Sequence, residues 1–353
     1  MSQQQHQRIP VGILGATGMV GQSFINFLQA HPWFDITFLA ASDRSAGKLY
    51  HEATQWRLDG PMPQSVANMT VEECKPSEKA PRLVFSATDS SVATEIEKAF
   101  AEEGHYVVSN SRNYRMDADV PLLVPEVNPD HLQLLKLQAK RGWKGFIATN
   151  PNCVAIPLAL ALAPFKPFGI TKILATSMQA VSGAGYPGVP SLDILCNVIP
   201  YIGGGEEDKV EQETLKILGN LNIDHVDNLA ATVSAQCNRV PSIDGHLVAA
   251  SIELKQKPTR DELLHAIRNY AGIPQLKKLP SAPAQAIYYM DQLDRPQPRR
   301  DAGKDRGMAV SMGRLRECPV LDWKFICMAH NTVRGAAGAA VLNAELMHSE
   351  GIL

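Results

Sequence analysis

Through the first 150 positions, short apolar runs ending in small residues alternate with amphipathic stretches. Ile9–Leu14 runs into Gly15-Ala16-Thr17-Gly18-Met19-Val20-Gly21 and then into amphipathic 22–29, which predicts strand, glycine turn and helix. Further strands are predicted at 36–41, 83–88, 105–109 and 145–148, with helices at 92–103 and 129–140. Residues 50–79 show no regular period, and no chemistry is assigned to them. An all-apolar helix is predicted at 154–163. After it the pattern changes: 170–181 alternates apolar and polar residues, as a half-buried strand does, and 233–240, 247–254, 310–315 and Trp323–Ala329 are further strands. Helices are predicted at 206–215, with acids in its first turn, and from 331 to 347, rich in small residues. Stretch 279–306, rich in Pro, Arg and Asp, is expected to be an exposed loop or edge.

This change of period predicts an α/β protein in two parts, a Rossmann-type dinucleotide-binding domain followed by an α+β domain with a mixed sheet. A length of 353 residues fits two domains. The formal net charge of -2 gives no electrostatic case for a nucleic-acid or membrane partner. The polar, Gln-rich tip 1–8 is expected to be disordered and is neither a signal peptide nor an anchor. Six scattered cysteines without a CxxC pair signal neither a metal site nor a disulfide framework, so the expected setting is a reducing cytoplasm.

Cys153 lies in Asn150-Pro151-Asn152-Cys153, at the mouth of the apolar helix. With Asn150 and Asn152 as capping residues and Pro151 in the first turn, its sulfur meets unpaired amides and the positive end of the helix dipole, which favour a thiolate. The same amides suit an oxyanion on an attacked carbonyl. The glycine turn suits a pyrophosphate, although Ala16 and Thr17 depart from the G-x-G-x-x-G spacing. Strand 36–41 ends in Ser42-Asp43-Arg44-Ser45; hydroxyls and Arg44 suit the 2′-phosphate of NADP, while Asp43 leaves NAD open. Ser86, at another strand end, is a cofactor contact by position. Arg112 and Arg115 follow a strand in a polar turn, where guanidinium groups can clamp a phosphate. Glycines in 182–188 permit close approach to a ligand. His246 leaves a glycine turn with an unperturbed pKa near neutrality, and Arg239, seven residues earlier, is expected beside it across a hairpin.

The glycine turn 15–21, Val124-Pro125-Glu126-Val127-Asn128, Asn150-Pro151-Asn152-Cys153, Gln179-Ala180-Val181-Ser182-Gly183-Ala184-Gly185, Arg239-Val240-Pro241 with Asp244-Gly245-His246, and Asn331-Thr332-Val333-Arg334-Gly335-Ala336-Ala337-Gly338 are collinear over nearly the whole chain. Together they resemble the aspartate-semialdehyde dehydrogenases, nearest the branch of archaea and fungi. That resemblance implies domains at 1–149 (completed by 331–353) and 150–330, in a homodimer or homotetramer. The implied reaction is reversible NADPH-dependent conversion of L-aspartyl 4-phosphate to L-aspartate 4-semialdehyde and phosphate, on the route to threonine, methionine and lysine.

By position in the family blocks, Cys153 is the nucleophile and His246 the general acid/base. Gln179 and Asn152 are substrate contacts, Arg239 pairs with the substrate carboxylate, Glu206 with its amino group, and Arg115 and Lys209 with phosphate. Glu206 is preferred to Glu207 by its spacing to Lys209. The implied NADP contacts are Gly15, Thr17, Gly18, Met19, Val20, Ser42, Ser45, Ser86, Ser182, Gly183 and Asn331, and no metal is implied. A malonyl-CoA or N-acetyl-glutamyl-phosphate reductase would share the Cys/His pair, but Arg239 with Glu206 fits a free amino acid. A non-catalytic dinucleotide binder is the reading from another class; retention of both Cys153 and His246 argues against it.

Overall fold

Strand β1 (Ile9–Leu14) is buried over its last four residues, as expected of a parallel strand covered on both faces. Parallel pairing continues to β2 (Phe34–Ala41) and β3 (Val71–Glu73) on one flank. On the other flank lie β4 (Leu83–Ser86), β5 (Tyr106–Ser109) and β6 (Phe146–Thr149). The order β3-β2-β1-β4-β5-β6 reverses between β1 and β4, so the turns after those strands border the crevice where such sheets bind dinucleotides. The structure is a computed structural model and describes residues 8–353; apart from Arg8, the tip expected to be disordered lies outside the described residues.

Residues 50–79 are more ordered than their pattern predicts. They supply edge strand β3 and two short helices, Tyr50–Ala53 and Gln64–Ala67. They also brace the glycine turn: the buried Tyr50 hydroxyl donates to the Ala16 carbonyl at 2.8 Å, and Thr54 Oγ1 donates to that of Thr17 at 3.0 Å. These are long-range contacts that local periodicity does not encode.

The second sheet is mixed. β7 (Ile170–Gln179) alternates buried and accessible residues, leaving one face open with Leu174 and Thr176 on it. After a small pair, β8 (Asn220–Leu221) and β9 (Val226–Asp227), come β10 (Thr232–Arg239), β11 (His246–Leu254), β12 (Tyr288–Met290), β13 (Val310–Glu317) and β14 (Trp323–Ala329), in the order β10-β7-β11-β14-β13-β12. All eight residues of the apolar helix, Ala155–Leu162, are buried in the core behind this sheet, consistent with a helix that is hydrophobic on every side. The expected helix at 129–140 is instead a run of 3₁₀ turns, Pro129–Arg141.

The hairpin expected between Arg239 and His246 does not form. β10 and β11 follow each other in sequence, yet β7 lies between them, so Arg239 and His246 do not face each other across a hairpin. Arg239 is in register with Gln179 on one side of β7, and Leu247, next to His246, is in register with Met178 on the other.

The chain divides into two compact units: one holds residues up to 121, 133–150 and 347–353, the other 122–132 and 151–346. The division falls inside helix Gly338–Ser349, whereas the sequence reading places 331–353 wholly with the first domain. Ala339, near its start, belongs to the core of the second unit. No helix among the described residues is long and apolar enough to cross a membrane.

Candidate active site

Asn152 is the residue that caps the apolar helix. Its Oδ1 accepts from Val154 N at 2.8 Å and from Ala155 N at 3.3 Å, while its own amide donates to Glu213 Oε2 at 2.6 Å. Cys153 therefore stands immediately inside the cap, half-buried, at the electropositive helix end, but the unpaired amides expected beside it are taken: those of Val154 and Ala155 by the Asn152 side chain and that of Ile156 by the Asn152 carbonyl at 3.1 Å. Asn150 does not cap; its Nδ2 donates to Asn110 Oδ1 at 2.9 Å in the first unit.

A neighbour that sequence reasoning missed is Gly335, in a π-helical turn (Val333–Ala337) where Gly335 N reaches back five residues to the His330 carbonyl at 2.9 Å. A Cβ on Gly335 would lie 2.7 Å from Cys153 Cβ. Gly335→Ala is therefore expected to displace the cysteine and lower kcat about 100-fold with substrate affinity largely kept, since an ångström at the reacting atom has that cost. Steady-state kinetics on the folded variant check it.

Three strand ends meet beside this helix in the second unit. Gln179 ends β7, Arg239 ends β10 and His246 begins β11, and all three are buried. Arg239 Nη1 donates to the Ala180 carbonyl at 2.8 Å, and Ala180 N donates to His246 Nδ1 at 3.1 Å. Burial lowers the Arg239 pKa, opposed by the electrostatic influence of Cys153, Glu206 and Cys237. Gly183 sits over the same two side chains: its missing Cβ would be 2.9 Å from both Arg239 Nη1 and His246 Nε2. Asn331 Oδ1 accepts from Gly245 N at 2.9 Å and its Nδ2 donates to Ser182 Oγ at 2.8 Å, so this residue secures the turn that presents His246.

Glu206 gathers the rest. Its Oε1 accepts from Asn152 Nδ2 at 2.9 Å and Gln179 Nε2 at 3.2 Å, and its Oε2 from Lys209 Nζ at 3.2 Å. Burial works to raise its pKa, but the Asn152 hydrogen bond, the Lys209 charge and the Gln179 hydrogen bond bring it below the ordinary carboxylate value. Glu207 points elsewhere: its carboxylate accepts from Cys237 N at 2.9 Å, and Glu211 accepts from Ala235 N at 2.8 Å, so these two acids cover the edge of β10.

In the first unit the glycine turn fits a dinucleotide. Gly15 has φ +76°, and a Cβ there would lie 2.5 Å from the Ala87 carbonyl oxygen. One on Gly21 would lie 2.3 Å from Gly15 O. Helix Met19–Leu28 starts after Gly18 without a side-chain cap, leaving its first turn to bare backbone, the arrangement that receives phosphate. Thr17, Gly18, Met19 and Val20 make up this turn; Ser42 and Ser45 follow β2, and Ser86 ends β4, its Oγ 2.9 Å from Thr88 Oγ1. Arg115 is buried and donates from Nη2 to the Asn110 carbonyl at 2.8 Å, whereas Arg112 is exposed. Beneath lies Glu97, whose Oε1 accepts from Ser109 Oγ at 2.7 Å; burial pushes its pKa up to about 7. Among the described residues no cluster of metal-ligating side chains occurs.

Known proteins carry the same order of parts. The family model "Semialdehyde dehydrogenase, NAD binding domain" matches residues 10–135, and "Semialdehyde dehydrogenase, dimerisation domain" matches 162–334. The aspartate-semialdehyde dehydrogenase of Archaeoglobus fulgidus is 48% identical over 98% of this chain and 100% of its own. That of Schizosaccharomyces pombe is 49% identical over 97% and 99%. The crystal structure of aspartate semialdehyde dehydrogenase with NADP from Candida albicans superposes with a TM-score of 0.90 at 42% identity, covering 98% of this chain and 100% of that one.

Proposed function

The chain belongs to the aspartate-semialdehyde dehydrogenase family, and from that membership we propose that it interconverts L-aspartate 4-semialdehyde plus phosphate and L-aspartyl 4-phosphate through a thioester on Cys153, with NADP as cofactor. The observation that carries this reading is the convergence on Glu206: one half-buried carboxylate ties the cap of the nucleophile helix, the β7 glutamine and a lysine into a single site.

In the reducing direction the Cys153 thiolate, favoured by the positive helix end, attacks the acyl phosphate, and phosphate departs from the tetrahedral intermediate to leave the thioester. Arg239, held by the Ala180 carbonyl, is assigned the substrate carboxylate and Glu206 the substrate ammonium group; Gln179 and Asn152 orient the acyl group. Lys209 and Arg115 are assigned the phosphate on their charge. NADP would be held by the turn Gly15, Thr17, Gly18, Met19 and Val20 with Ser42, Ser45 and Ser86, and Ser182, Gly183 and Asn331 are assigned to the nicotinamide end. When bound, the nicotinamide exchanges a hydride with the acyl carbon. His246 serves the thiohemiacetal oxygen.

The test is reduction of NADP with L-aspartate 4-semialdehyde, assayed with and without phosphate and against NAD. Phosphate-dependent turnover preferring NADP is expected; a folded protein that binds NADP without turning over this aldehyde contradicts the reading and points to another acyl substrate.

The open face of the mixed sheet, with Leu174 at 45% exposure and Thr176 beside it, is proposed to pair two copies, in keeping with the matched dimerisation domain. Sedimentation equilibrium is expected to give a dimer or a dimer of dimers; a monomer at micromolar concentration contradicts it.

A further inference from the structure

Asn152 is held from two points on one helix. In Glu206–Ile217 the residues Glu206, Val210, Glu213 and Ile217 recur at helical spacing and so share one face. Val210 and Ile217 on that face belong to the same core cluster as the whole of Ala155–Leu162, so the two helices pack together. The two acids lie either side of Val210. Glu206 Oε1 accepts from Asn152 Nδ2 at 2.9 Å, and Glu213 Oε2 accepts from Asn152 N at 2.6 Å. Glu206 is assigned to the substrate, whereas Glu213, at 2% exposure, lies too deep to meet one. A carboxyl buried against an apolar helix is costly unless hydrogen bonds hold it, and here it takes an amide of the nucleophile segment.

The place of that amide in the chain gives the contact its consequence. Beyond β6 the Asn150 amide donates to the Ser109 carbonyl at 2.8 Å, and Pro151 has no N–H. The N–H of Asn152 is therefore the last backbone donor before Cys153. Glu213 holds the chain there, one residue from the reacting sulfur. With its amide on Glu213 and its Nδ2 on Glu206, Asn152 presents Oδ1 to the amides of Val154 and Ala155, which starts the helix directly after Cys153.

We propose that Glu213 is a positioning residue for the nucleophile: acting through the Asn152 amide, its carboxyl group fixes the Cys153 sulfur at the positive end of the apolar helix. This role rests on the reading of Cys153 as the nucleophile and deepens it. Glu213 itself makes and breaks no bond in the reaction. The helix dipole acts only within the first turn, so a sulfur released from its tether loses both its aim and part of the support for its thiolate.

The test reads the sulfur itself. Alkylation of Cys153 by iodoacetamide is followed against pH in the full chain, with mass mapping to separate it from the other cysteines, beside kcat, the aldehyde KM and the denaturant midpoint. Glu213→Ala is expected to move the midpoint of the alkylation profile up toward the ordinary thiol value of about 8.5. Its kcat should fall on the order of 10²-fold, with the aldehyde KM within about threefold of the parent, because misplacing a reacting atom by an ångström has that cost. Glu213→Asp withdraws the carboxyl by one methylene and should shift both readings in the same sense by less, so the comparison does not depend on how well the alanine variant folds. Glu213→Gln keeps a carbonyl oxygen for the amide and should restore kcat to within about tenfold of the parent, with an alkylation midpoint no higher than the parent's. Val210→Ala loosens the same helix without touching the tether; it should lower the denaturant midpoint and keep the parent's alkylation profile. A parent-like profile in Glu213→Ala or Glu213→Asp, a loss in Glu213→Gln equal to that in Glu213→Ala, or an equal profile shift in Val210→Ala overturns the proposal. If the parent lacks phosphate-dependent turnover of L-aspartate 4-semialdehyde while the variants order the Cys153 profile as stated, the functional reading fails and the positioning role of Glu213 stands.

Discussion

Cys153→Ala is expected to remove turnover, with kcat falling on the order of 10⁴- to 10⁶-fold, because a nucleophile that forms the covalent intermediate has no substitute. Cys153→Ser should fare little better, since a hydroxyl at that helix end remains un-ionised near neutrality. The fold should survive both changes, because the side chain is only half-buried and the helix cap belongs to Asn152. Substrate binding should survive as well, because Arg239 is held by the Ala180 carbonyl and Glu206 by Asn152, Gln179 and Lys209. Single-turnover rates beside calorimetric affinity separate the two effects. Loss of binding together with rate would show that the cysteine shapes the site and does not react in it.

Glu126→Ala is expected to destabilise the protein by about 3–5 kcal/mol, the usual consequence of stranding one member of a buried ion pair. Glu126 and Arg334 are both fully buried, and Arg334 Nη2 donates to Glu126 Oε2 at 2.6 Å. The pair is sparsely satisfied: Glu126 Oε1 and Arg334 Nε and Nη1 have no hydrogen-bond partner among the described residues. Removing the carboxylate therefore leaves a guanidinium with no counter-charge in an apolar interior. The double change Glu126→Leu with Arg334→Met should recover most of the lost stability, because replacing both charges with apolar groups is often near neutral. Arg334 directly precedes Gly335, which packs against Cys153, so the double variant should regain stability while remaining impaired in kcat. Denaturant midpoints and kcat for both variants check this; a single variant as stable as the parent contradicts it.

The dinucleotide fold was legible because parallel strands buried on both faces read as continuous apolar runs, and β1, β2 and β4 to β6 all fall where that pattern places them. The mixed sheet was legible from the alternation in β7. Strand order was not: seven residues between Arg239 and His246 look like a hairpin, and only the sheet shows β7 between them. The choice of Glu206 over Glu207 rested on spacing alone, and the structure separates them by direction, Glu206 toward Asn152 and Glu207 toward the edge of β10. Gly335 and Glu126 lay inside motifs quoted for their resemblance, but their contacts join positions far apart in the chain and carry no local signature. The hydrogen bond that orients the His246 ring comes from a backbone amide 66 residues away and has no signature in local periodicity.

The thioester on Cys153 is tested most directly by mass mapping of the acyl-enzyme, made by mixing the protein with L-aspartate 4-semialdehyde and NADP in the absence of phosphate and quenching in acid. An aspartyl adduct is expected on the peptide carrying Cys153, released by phosphate or hydroxylamine and absent from Cys153→Ala. NADPH formation with Cys153 unmodified, or an adduct carried by Cys237 or Cys196 instead, would contradict it.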